Sequence, residues 1–194
     1  MHTPVIVFDF FGVICSEIAP FVLPKYMSAE EATHYKATIV QDADIGRISQ
    51  AEMFERLGAI AHASAKTLED EFWSYVKIDP DTVALIEELR KEYRVALLTN
   101  AIVPFVREIM ARYDLERLFD TILVSAEEHM TKPDPAYFTR LCRKMNVAAG
   151  DCIFLDDNPV NLEGAKTAGM ATVLFTGAAA ARAELETRFD VTVK

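Results

Sequence analysis

Val5-Ile6-Val7-Phe8-Asp9 is a run of four apolar residues that halts on an acid. Because it does not alternate with polar residues, it reads as a strand covered on both faces, the pattern of a parallel sheet. Comparable runs recur at Val95-Ala96-Leu97-Leu98, Ile122-Leu123-Val124, Cys152-Ile153-Phe154-Leu155 and Thr172-Val173-Leu174-Phe175. Stretches of helical periodicity lie between them. Segment 81–93 places Val83, Leu85, Ile86 and Leu89 on one face, and 103–113 does the same with Phe105, Val106, Ile109 and Met110. Segments 134–145 and 159–168 continue the series, and the alanine run 178–181 opens a C-terminal helix. Strand and helix alternate from residue 81 onward. This predicts an α/β fold, a three-layer, Rossmann-like parallel sheet with helices on both faces.

Residues 16–79 break the alternation. They hold no convincing buried strand, only helical patterns at 28–38 behind an N-cap Ser28, after the capping box Ser49-Gln50-Ala51-Glu52, and at 67–76 with Phe72, Trp73 and Val76. The expected organisation is therefore an α/β core of 1–15 and 80–194, interrupted by an all-helical cap of 16–79. That insertion carries six basic and eleven acidic residues, half of the chain's net charge of −10. At 194 residues, 51% hydrophobic and 26% charged, the composition is that of an ordinary globular chain able to bury a full core. The acidic balance argues against nucleic acid and anionic membrane partners, and leaves a small anionic substrate only at a site that gathers positive charge. Cys15, Cys142 and Cys152 show no paired spacing and read as buried thiols in a reducing compartment. With no signal peptide and no apolar stretch of membrane-spanning length, the expected location is cytoplasmic. No pattern specifies an oligomeric state.

In an open parallel sheet, ligands sit beyond the carboxyl ends of the strands. The first strand ends in Asp9, the second in Thr99-Asn100 and the fourth in Asp156-Asp157-Asn158, while Thr131-Lys132-Pro133-Asp134 precedes a helix. A carboxylate pair suits a hard divalent cation. A hydroxyl, a lysine and backbone N–H groups suit a phosphoryl group, which a third carboxylate can attack. Singly, each feature has an ordinary structural explanation: Asp9, Asp156 and Asp157 as caps, Thr99-Asn100 as turn chemistry, Lys132 as a solvated cation. His2, His34, His62 and His129 show no ligand spacing; Phe72 and Trp73 suit a cap core, and Glu17 and Arg47 are cap residues within possible reach of substrate.

Taken together, and in order, these motifs resemble those of haloacid dehalogenase (HAD) superfamily hydrolases with a helical cap, nearest to phosphatases acting on sugar 1-phosphates. Val5 through Val13 is similar to the nucleophile motif, Leu97-Leu98-Thr99-Asn100 to the second, Lys132-Pro133-Asp134 to the third, and Phe154-Leu155-Asp156-Asp157-Asn158 through Asn161-Leu162-Glu163-Gly164-Ala165 to the fourth. The resemblance implies that Asp9 is the nucleophile and accepts the phosphoryl group as an aspartyl phosphate. It implies that Asp157 ligates Mg2+, with Asp156 at or just outside the metal, the Phe11 carbonyl as a further ligand, and Asp9 on the same ion. Thr99, the Asn100 amide and Lys132 are implied to bind the transferring phosphate. The implied activity is magnesium-dependent hydrolysis of a small phosphorylated metabolite, such as a sugar phosphate.

The chain departs from the family pattern at one position. Phosphatases of the family usually carry a second Asp two residues after the nucleophile, which protonates the leaving group and then activates water. Phe11 stands there and does neither. General acid–base help is worth ~10²- to 10⁴-fold, so a poor leaving group needs a cap residue or water in its place. The dehalogenase branch also has an aromatic residue there, which keeps open a metal-independent haloacid hydrolase. A non-catalytic phosphate-binding regulator is the third reading. The acidic pair Asp156-Asp157 favours phosphate.

Overall fold

All five apolar runs form strands in the computed structural model, which describes residues 3–193. They are β1 (Val5–Phe8), β2 (Arg94–Thr99), β3 (Thr121–Val124), β4 (Cys152–Asp156) and β5 (Ala171–Leu174). The order is β3-β2-β1-β4-β5, and every neighbouring pair is parallel. Alternation within each strand builds two cores. Ile6, Phe8, Val95, Leu97, Ile153 and Leu155 face one side, while Val5, Val7, Ala96, Leu98, Cys152 and Phe154 face the other. The chain adds β2 and β3 on one side of β1, then crosses to build β4 and β5 on the other. The switch point of the sheet is therefore between β1 and β4. Phe8 is level with Leu155 on β4 and with Leu97 on β2, so the next residues along, Asp9 and Asp156, emerge side by side at that point.

Between β1 and β2 run α1 (Ala19–Val22), α2 (Ala29–Tyr35), a π-helical turn (Lys36–Val40), α3 (Gln41–Asp44), α4 (Gln50–Ala61), α5 (Ala65–Ser74) and α6 (Pro80–Leu89). Among the described residues, 16–79 contains no strand, only an isolated bridge from Ile78 to Cys15. The segment leaves and rejoins the sheet at one place: Ser16 N donates to Lys77 O at 2.9 Å, and Asp79 N to Ile14 O at 2.9 Å. Ser28 forms a complete capping box with Glu31. The expected box at Ser49 is half made, with Ser49 accepting from Glu52 N. The helix expected over 28–38 ends at Tyr35 and widens into the π turn, where Thr38, Ile39 and Val40 place three β-branched residues in succession.

After β2 come α7 (Phe105–Arg112), α8 (Ser125–Glu128), α9 (Pro135–Met145), α10 (Pro159–Thr167) and α11 (Ala178–Phe189). Pro104 sits at the N-cap of α7, so that helix starts at Phe105, two residues later than expected. The helix expected over 81–93 runs from Pro80 and stops at Leu89, the last residue of its buried face. The apolar cluster on the Phe8 side of the sheet continues without a break into Met53, Leu57, Leu68 and Phe72 of the helical segment. No helix among the described residues is long and apolar enough to cross a membrane.

Candidate active site

The chain after β1 turns tightly, with Ile14 N and Cys15 N both donating to Phe10 O. Gly12 makes the turn at φ +84°. The left-handed conformation favours glycine there, and a Cβ would also press on the Asp157 carboxylate, lying 2.3 Å from its Oδ2. Asp9 accepts from Phe10 N at 2.7 Å. Lys132 Nζ reaches Asp9 Oδ1 at 2.6 Å and Asp156 Oδ2 at 2.7 Å, and all three side chains are buried.

Each of these groups has its own support. Asn100 clamps the Lys132 backbone, accepting from Lys132 N at 2.8 Å and donating from Nδ2 to Lys132 O at 2.9 Å. A Cβ on Gly164 would meet Pro133 O at 2.1 Å, so α10 can approach the Lys132 loop only because residue 164 is glycine. Asp156 is saturated: besides Lys132 it accepts from Asn158 N at 2.8 Å and from Asn161 Nδ2 at 3.0 and 3.1 Å. Asn158 is the N-cap of α10. Thr99 O accepts from Tyr137 Oη at 3.1 Å, whereas Thr99 Oγ1 is buried with no hydrogen-bond partner among the described residues.

The electrostatics follow from burial. Asp9, Asp156 and Asp157 bring carboxylate oxygens within 4.8 Å of one another. Burial lifts the Asp9 carboxyl well above its ordinary value; Lys132 opposes that and Asp156 adds to it. Burial alone would lower the Lys132 ammonium, but Asp9 and Asp156 outweigh it and hold the group above its usual range. Asp157 is raised by burial, then by Asp156 and Glu17. When ionised, three carboxylates against one ammonium leave two negative charges in a buried pocket, which fits a hard divalent cation with oxygen ligands.

A cleft of about 450 Å³ opens over the cluster. Asp9, Phe11, Asn100, Lys132 and Asp157 line it from the sheet, and Glu17, Lys36 and Asp44 from the helical segment. The predicted Thr99 and Asp156 are fully buried and lie outside its lining. Arg47 pairs instead with Asp42 at 2.9 Å, away from the cleft. Phe72 belongs at once to the core of the helical segment, meeting Phe54 and Phe105 edge-on, and to the cleft wall. His129 Nδ1 meets Ile45 O at 3.0 Å, and His2 lies outside the described residues. Cys15, Cys142 and Cys152 are buried free thiols.

Asn161 stands in the fourth motif without a role assigned from sequence, its part being to hold Asp156, whereas no local pattern pointed Asp44 to the cleft.

The parallel sheet thus gathers a carboxylate cluster and a lysine at its switch point, the place where α/β folds bind their ligands. The chain belongs to the haloacid dehalogenase-like hydrolase family, whose model matches residues 3–169. It is 34% identical over 170 residues to N-acylneuraminate-9-phosphatase of Homo sapiens, covering 83% of this chain and 65% of that protein. It spans still less, 41% and 38%, of the corresponding rat and mouse proteins. In fold it is similar to a HAD family enzyme of Bacteroides thetaiotaomicron, solved in complex with magnesium and inorganic phosphate, with TM-score 0.73 and 21% identity over 89% of this chain and 93% of that one. It is similar also to L-2-haloacid dehalogenase of Xanthobacter autotrophicus with chloropropionic acid covalently bound, with TM-score 0.67 and 17% identity over 98% of this chain and 85% of that one.

Proposed function

We propose that this hydrolase is a magnesium-dependent phosphatase for a small phosphorylated metabolite, built as a core of 1–15 and 80–194 with a cap of 16–79. The observation that carries the reading is the buried excess of carboxylate over ammonium at Asp9, Asp156, Asp157 and Lys132. A halide-releasing site has no need of it. The relative named as a phosphatase supports the same reading.

Asp9, Asp157 and the Phe11 carbonyl would hold the magnesium, and Asp156, its oxygens taken by Lys132, Asn158 and Asn161, would orient its neighbours from just outside. When bound, the ion supplies positive charge that keeps Asp9 ionised and screens it from the phosphate. Asp9 attacks phosphorus and takes the phosphoryl group as an aspartyl phosphate. Lys132, held by Asn100 and by both carboxylates, meets the charge on the transferring oxygens. Thr99, the other implied phosphate donor, is fully buried outside the cleft lining, with its hydroxyl unpartnered among the described residues.

Phe11 favours one rival, a metal-independent haloacid hydrolase. Turnover of phosphate esters and 2-haloacids, each with and without chelator, separates the two. The phosphatase reading expects ester hydrolysis that chelator stops and Asp9→Asn abolishes. Haloacid turnover indifferent to chelator would replace it.

A further inference from the structure

We propose that Asp44, in the helical roof of the cleft, is the general acid and base of this site, taking the place left open by Phe11. The inference rests on the phosphatase reading above and supplies its missing proton donor.

Three observations place the group. Asp44 lines the same cleft as Asp9, Lys132 and Asp157, but from the helical segment. A nucleophile on the sheet expels its leaving oxygen in line, away from Asp9 and into the space that this segment bounds. Next, Asp44 is fixed from behind: its main-chain oxygen accepts from Ser125 Oγ, which also takes Ala101 N at 2.9 Å, tying α3 to the ends of β2 and β3. Finally, its carboxyl is uncommitted, with no hydrogen bond or ion pair among the described residues. The nearby Glu17 is occupied, its Oε2 lying 3.6 Å from Lys36 Nζ.

The charged groups acting on Asp44 are Lys36 and Glu17 from the helical segment and Lys132 from the sheet side. Burial is the largest influence and pushes the carboxyl up to about 7; Lys36 and Lys132 pull it down, and Glu17 adds to the rise. A carboxyl so placed is divided between its protonated and ionised forms near neutral pH, and so can both give and take a proton.

In the first step an Asp9 oxygen forms a bond to phosphorus as the bond from phosphorus to the leaving oxygen breaks. That oxygen takes the Asp44 proton and departs as the alcohol, leaving Asp44 as carboxylate. In the second step Asp44 takes a proton from water as the water oxygen attacks phosphorus. The bond to Asp9 breaks, inorganic phosphate leaves, and Asp44 is protonated again.

The test compares kcat/KM for an alkyl phosphate with that for 4-nitrophenyl phosphate, in wild type and Asp44→Asn, at saturating magnesium. kcat/KM covers the steps through alcohol release, so it isolates leaving-group protonation from the shared hydrolysis of the aspartyl phosphate. Asp44→Asn is expected to lose ~10²- to 10⁴-fold on the alkyl ester and less than ~10-fold on the aryl ester, whose leaving group needs no proton. Retained aryl turnover also reports that the variant folds. The fall in wild-type alkyl turnover above about pH 7 should be absent from the variant. Equal losses on both esters, or none, overturn the role of Asp44 while the phosphatase reading stands. A wild type silent on both esters overturns that reading and this one with it.

Discussion

Lys132 serves two carboxylates at once, so the charge of this site is set by how many acids the fold brings to one ammonium. Asp9, Thr99, Asn100, Asp156 and Asp157 were legible because each sits at or just after a strand end, and Lys132 because it stands in a short motif before a helix. Asp44 was not, because its place in the cleft depends on how a helix some thirty-five residues beyond Asp9 folds back over the sheet. That placement carries a stability cost whose sign is fixed. Below the ordinary carboxyl value of 3.8 Asp44 is protonated folded or unfolded, and contributes nothing. Between there and about 7 only the unfolded chain gives up the proton, so stability falls as pH rises, and above that range the full cost applies. Asp44→Asn should therefore match wild type near pH 4 and exceed it at pH 8. The gain is on the order of 2 kcal/mol, less than the ~4 kcal/mol of a three-unit shift because the carboxyl also meets water in the cleft. Urea denaturation at the two pH values measures it; a variant less stable at pH 8 would refute the assignment of a buried, proton-holding carboxyl.

At the scale of elements, the helical segment is fastened to the sheet by polar side chains as well as by packing. Gln50, the first residue of α4, accepts from Phe105 N at 2.9 Å, the first N–H of α7, while its Nε2 donates to Glu69 at 3.0 Å. Ser125 and His129 make two further ties, to Asp44 O and Ile45 O. These contacts were illegible in the sequence because neither partner belongs to a motif. Gln50 reads locally as an ordinary first-turn residue behind the Ser49 cap, and only the docked helix shows that Phe105 N would otherwise be buried unpaired. The helices themselves were legible from periodicity, and their ends less so, since Pro104 and the β-branched run at 38–40 reset them. Gln50→Ala removes the acceptor and is expected to cost about 1–3 kcal/mol in denaturant unfolding, the range for stranding a buried donor. An unchanged midpoint would mean that water replaces the glutamine and that the tie is dispensable.

For the molecule as a whole, the parallel pairing of the strands follows from two facts that the sequence carried, uniformly apolar runs and helix-length connections, since parallel strands need crossovers; their order, β3-β2-β1-β4-β5, is set by three-dimensional packing. What it did not carry is the continuity of the apolar cluster from Phe8 through Leu57 and Phe72, which makes roof and sheet share one core. A helical insertion and its host are told apart by secondary structure, whereas shared packing depends on three-dimensional contact. One consequence concerns metal. A cation bound by Asp9 and Asp157 would sit where β1, β4 and the roof meet, and would remove the mutual repulsion of three clustered carboxylates, two of them buried. Because it binds the folded chain and not the unfolded one, magnesium at a hundred times its dissociation constant should add about 2.7 kcal/mol. For a chain of this length that raises the Tm by about 5–10 °C. Chelator should reverse the rise, and Asp157→Asn should remove most of it while keeping the fold, because the change deletes one ligand and relieves part of the repulsion. This readout needs no substrate and so is independent of which ester is cleaved. A Tm unmoved by magnesium or chelator would mean that Lys132 alone balances the acids. In that case the acid pair would no longer favour phosphate, and the aromatic residue at position 11 would point to a halide-releasing hydrolase.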